Sequence, residues 1–185
     1  MGSPSSYPFT VGYNDSVQGP DHDAHRRSSV ECFNRAWQLI ELPRRTADEN
    51  SEMLLLAMSS LWHWTQRPEC GPRERSIGCW QVSRCAALAG HASLAREFAQ
   101  RAIEHSKDLD PYLLGCAHEC AARAAALDGD SAALERHRNE ARRSAERVSD
   151  AEDRARLLAD LESLNQSPAG ISSHPPTAPR SPRSP

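Results

Sequence analysis

His118 and Glu119 stand side by side in the stretch Cys116-Ala-His-Glu-Cys-Ala-Ala-Arg123. An imidazole beside a carboxylate suits proton transfer or metal ligation. Adjacent residues of a helix point about 100° apart, so these two need a third donor from another element to make a site. Position 122 is Ala, and the H-E-x-x-H arrangement of zinc proteases is not formed. Glu119 and Arg123 are four apart on one face, a pairing worth about 0.2–0.5 kcal/mol on an exposed helix. On the helical wheel both are expected to point away from the apolar arc, with His118 at its border.

Two further clusters invite the same question. In Ser59-Ser-Leu-Trp-His-Trp-Thr-Gln66, Trp62 and Trp64 fall within or beside the stripe of Met53, Leu54, Ala57, Met58 and Leu61. His63 projects to the other side, toward a binding groove or toward water. Trp80, Gln81 and Arg84 share a face with Ile77 and Leu88, and the Arg84 guanidinium can lie on the Trp80 indole. A charge in such a stripe requires a partner, either an acidic ligand or a carboxylate on a neighbouring helix. Recurrence of Arg84 as Arg123 favours the carboxylate. Cys116 and Cys120 read as small packing residues.

The chain has 185 residues and a net charge of −3, too little to call for a polyanionic partner. The arginines near 136–147 alternate with glutamates, as on a solvated salt-bridged face, so no nucleic-acid stripe is expected. No basic segment followed by an apolar run opens the chain, and no 18 consecutive residues are apolar. The expectation is a cytoplasmic protein with no membrane partner. None of its six cysteines forms a C-x-x-C pair, and reduced thiols are expected. Phosphate loops, nucleophile elbows and dinucleotide fingerprints are missing too, so no catalytic residue, metal ligand or cofactor is expected. Residues 1–22 and 166–185 are rich in Ser, Gly and Pro and are expected to be disordered tails around a domain at 23–165.

Within that domain strand signals are nearly absent and helix punctuation is dense. Thr46-Ala-Asp-Glu49 has the form of a capping box, Gly71-Pro72 and Asp110-Pro111 open helices, and Gly90 and Gly129 end them. The pattern predicts seven helices at about 23–42, 47–66, 72–89, 92–107, 111–128, 131–148 and 151–164. A shift of 39 positions lays Arg84-Cys-Ala-Ala-Leu-Ala-Gly90 on Arg123-Ala-Ala-Ala-Leu-Asp-Gly129. The predicted fold class is therefore all-α, a stack of antiparallel helix hairpins. The last helix carries Leu157, Leu158, Leu161 and Leu164 on one side, as a terminal cap would.

The small-residue series Gly90, Ala95, Ala99 and Ala102 resembles the pattern of tetratricopeptide repeats. The second unit departs from it, with Leu134 and Arg138 in place of small residues, and the repeat exceeds that family's usual length of about 34 residues. Segments Leu61–Pro68, Trp80–Gly90 and Ala117–Asp130 are similar to small bacterial tetratricopeptide-like proteins without an assigned activity. The resemblance implies a binding scaffold. The expected function is non-catalytic binding of a protein or peptide, through His63, Trp64, Trp80, Arg84, His118, Glu119 and Arg123. A homodimer through a self-complementary hairpin face is a second partner reading. The alternative is a small helical enzyme or a ligand- or metal-binding protein, with a polar interhelical pocket around His63, Arg84, His118 and Glu119.

Overall fold

The computed structural model describes residues 21–164, and both tails expected from composition lie outside them apart from residues 21 and 22. Asp21 caps the first helix and accepts from the Ala24 amide, so the folded part starts earlier than position 23. The described residues form seven α-helices and no strand: α1 (His22–Ile40), α2 (Ala47–Thr65), α3 (Pro72–Leu88), α4 (Ala92–Ser106), α5 (Pro111–Asp128), α6 (Ser131–Glu146) and α7 (Ala151–Ser163).

Local chemistry sets these limits. The Glu49 amide donates to the Thr46 hydroxyl while the Thr46 amide donates to the Glu49 carboxylate, closing the capping box of α2. Asp110, Asp130 and Asp150 accept first-turn amides of α5, α6 and α7. Gly90 and Gly129 take φ of 82° and 73°, a left-handed conformation costly to side chains. Behind them His91 N donates to Ala86 O at 2.8 Å and Asp130 N to Ala125 O at 2.9 Å, the same Schellman closure in both units.

Contacts across each pair fix the topology. His25 meets His63, Ser60 donates to Ser29 O and Arg35 pairs with Glu52, so α1 and α2 run antiparallel. Ser76 with Ser106 and Ser83 with Ala95 O do the same for α3 and α4. His118 with His137 joins α5 to α6. By contrast Arg73 pairs with Asp110 and Arg84 with Glu119, a parallel register of α3 and α5. Hairpins are thus stacked with their odd-numbered helices side by side.

The two middle helices have neighbours almost all round. α3 touches α1, α2, α4 and α5, and α5 touches α3, α4, α6 and α7. Every residue from Gly78 to Ala86 is buried, including Gln81 and Arg84. One contiguous apolar core runs from Trp37 and Ile40 through Met53, Val82 and Phe98 to Leu157, with the Trp37 and Trp80 rings stacked at 5.7 Å. On α7, Leu157 and Leu161 are buried as expected, but Leu158 is 39% exposed.

Small residues let the helices close up. A methyl at Gly115 would collide with the Leu157 side chain and lie 3.2 Å from Ser144 Cβ. Gly115→Ala should therefore push α5 from both α6 and α7 and destabilise by about 1–3 kcal/mol in urea unfolding. A variant as stable as the parent would show that α7 is not seated there.

Candidate functional site

Arg84 on α3 is 1% exposed, and so is Glu119 on α5. This corrects the expectation that Glu119 and Arg123 face away from the core: α7 covers that side of α5. Arg84 Nη2 donates to Asp160 Oδ1 of α7 at 3.2 Å, and its Nη1 lies 3.7 Å from Glu119 Oε2. From the other side Arg123 donates through Nε and Nη2 to Glu119 Oε1 at 2.9 and 2.5 Å, and through Nη2 to Ser163 Oγ at 3.1 Å. Ser163 Oγ in turn donates to Asp160 O at 2.6 Å. Two arginines and two carboxylates form a charge-balanced network across three parallel helices. The Arg84 guanidinium carbon also stands 5.6 Å from the Trp80 ring centre, as the four-residue spacing predicts.

Electrostatics follow from burial and pairing. Burial alone would weaken the Arg84 charge, but Asp160 and Glu119 outweigh it and hold the guanidinium more firmly protonated than in water. Burial raises Asp160 from its ordinary value against the pull of Arg84. Burial also pushes the thiols of Cys85 and Cys120 up to about 12, and that of Cys116 well above its ordinary value. Those cysteines are protonated packing groups, not nucleophiles.

The remaining predicted residues lie elsewhere. His63 shares a hydrogen bond with His25 of α1, Nδ1 to Nδ1 at 2.8 Å, and its ring also touches Trp62. Trp64 is covered by the Arg67 guanidinium, 3.7 Å above its ring. His118 bonds to His137 of α6, Nδ1 to Nδ1 at 3.2 Å. The four residues of the pocket reading therefore divide into three groups, and only Arg84 and Glu119 meet. No three His, Cys, Asp or Glu side chains among the described residues come together as a metal cage.

Several partners escaped the sequence reading. Asp160 is not singled out by its sequence context, and nothing in a 38- or 19-residue separation announces the pairings of His25 with His63 or His118 with His137. Trp62 and Met58, placed within or beside the core stripe, are 54% and 38% exposed, and Leu55 is 66% exposed. Turning α2 by the few tens of degrees that seat Met53, Ala57 and Ser60 inside leaves those three outside. Among the described residues no helix is long and apolar enough to cross a membrane. Comparisons of the chain with protein-family models, with curated proteins and with solved structures found no match in any of the three.

Two measurements test this account. Arg84→Met removes the cation facing Asp160 and one of the two facing Glu119, and should cost about 3–5 kcal/mol in urea unfolding; a loss below about 1 kcal/mol would mean that the network reaches water. The histidines give a pH signature. Burial first, then the facing imidazole, lowers His63 and His118; burial, then Arg136, lowers His137; and burial, then Arg75, lowers His105. Below the unfolded value of about 6.5 the unfolded chain thus binds more protons than the native one. The native state should be most favoured above about pH 6.5 and lose stability as pH falls from there toward the lowered native values. Asp160, shifted upward, contributes a slope of opposite sign at more acid pH. Unfolding midpoints at pH 7.5, 6.5 and 5.5 should fall in that order, less steeply in His118→Gln. An unchanged slope in that variant would remove the pair as its source.

Proposed function

We propose that this domain is a non-catalytic scaffold that binds a protein or peptide partner, in the manner of tetratricopeptide-like hairpin stacks. The observation that carries this reading is the outer face of α2. Leu55, Met58 and Trp62 lie at i, i+3 and i+7 on one exposed stripe, while Met53, Ala57 and Ser60 of the same helix are buried. An exposed apolar row of that spacing suits an amphipathic partner helix laid alongside, with Trp62 as its anchor. His63 and Trp64, half-buried at the same end of α2, would border the contact. Trp80, Arg84 and Glu119 support it from within, since a partner cannot reach them. His118 and Arg123, only partly accessible on α5, stand outside this surface in the proposal. Burial of Ala95, Ala99 and Ala102 on α4 supports the tetratricopeptide likeness.

The test pairs capture with self-association. Proteins retained by the immobilised chain are compared with those retained by a Leu55→Asp/Trp62→Asp variant whose unfolding midpoint matches the parent. Loss of a specific partner in the variant is expected, with the unmixed chain monomeric by light scattering. Equal retention by both would move the binding surface off α2. A dimer abolished by the same substitutions would make a second copy the partner.

A further inference from the structure

From Ser51 onward the exposed row of α2 and its C-cap reads Ser51, Leu55, Met58, Trp62 and Gln66, without a charge along it. Ahead of Asp21 the chain carries residues 1–20, which lie outside the described structure. Their sequence includes Tyr7-Pro-Phe9-Thr-Val11-Gly-Tyr13, with an aromatic or valine at every odd position and Pro, Thr or Gly between. Alternation with a period of two suits an extended chain with one apolar side. Pro8 and Gly12 count against a helix there. The segment holds two of the chain's three tyrosines and one of its three phenylalanines, and no charged side chain occurs before Asp15. Its point of attachment lies close to the row: Asp21 caps α1, and the His25 ring one turn further on stands 5.3 Å from that of Trp62.

We propose that the segment Tyr7–Tyr13 is the resident occupant of this row, lying extended along α2 with Tyr13 on Trp62, Val11 on Met58 and Phe9 on Leu55. Spacing supports the match. Alternate residues of an extended chain are about 6.6 Å apart, and the steps from Trp62 to Met58 and from Met58 to Leu55 are about 6 and about 4.5 Å along a helix axis. Reach supports it too, because Asn14–Pro20 can span up to about 24 Å and Trp62 lies beside the start of α1. Since α1 and α2 are antiparallel, a chain that turns back at Gly19-Pro20 runs along α2 from the Trp62 end toward Leu55. The absence of charge on both sides favours this uncharged segment over an acidic or basic peptide. The inference rests on reading the row as a docking surface, and it adds a competitor: an outside partner gains the row only by displacing the chain's own segment.

Methionine methyl resonances of the full-length chain test the pose, since Met1, Met53 and Met58 are its only methionines and Met53 is fully buried. Phe9→Ser/Tyr13→Ser lies outside α1–α7 and should move the Met58 methyl signal while leaving that of Met53 in place. A peptide of Ser5–Ser16 added to this variant should return Met58 toward its parent position at about millimolar concentration, the level that a short tether supplies within one chain. A Met58 signal unmoved by the substitutions, or not returned by the peptide at about ten times that level, would overturn the proposal. A parent Met58 signal that shifts on dilution would place a second copy on the row and overturn docking within one chain. The segment and the binding surface fail separately. An unmoved Met58 with partner capture lost in Leu55→Asp/Trp62→Asp removes the segment and keeps the surface. A moved and rescued Met58 with equal capture by parent and that variant keeps the segment and removes the outside partner.

Discussion

A guanidinium sealed at the centre of a stack of helices constrains everything around it. Arg84 is buried in α3, and a charge taken out of water is tolerated only with compensating charge at close range. Its compensation comes from Glu119 one helix away and Asp160 on the last helix. Glu119 then needs Arg123, and Arg123 reaches Ser163. The demands pass from residue to residue until α3, α5 and α7 are held in one parallel register. The surrounding alanines and cysteines do the complementary work, keeping the backbones near enough for short ion pairs to form.

Much of this architecture is legible in the sequence because it rests on local chemistry. Helix limits follow from Thr46, Asp110, Asp130, Asp150, Gly90 and Gly129, whose caps act within four or five residues of themselves. The 39-residue shift is structural as well, since both glycines close their helices with matching bonds. The two arginines at that shift also share a task, meeting one carboxylate from opposite sides. Gly115 escapes such a reading, because its value lies in what approaches it from α6 and α7.

The site is less legible, for a physical reason. Hydropathy assigns Glu and Asp to the surface, yet Glu119 follows Cys116 by three residues, and Asp160 follows Leu157 by three, within apolar stripes. A carboxylate at that spacing, together with an arginine in another stripe, is the trace that a buried pair leaves in a sequence. Which arginine answers which carboxylate depends on tertiary register. The histidine pairs leave no comparable trace, and the outward tilt that exposes Trp62 is a matter of a few tens of degrees about the axis of α2.

Repeat arrays commonly gain stability one unit at a time, each hairpin resting on the one before. Here the carboxylate that answers Arg84 lies 76 residues further along the chain. A growing polypeptide that has made α1 to α4 holds Arg84 with Glu119 and Asp160 both still unsynthesised, and a chain stopped before α7 has Glu119 but lacks Asp160. Completion is thereby tied to electrostatics: the last helix brings the second carboxylate that faces a buried cation of the third, a contact that joins the end of the array to its middle.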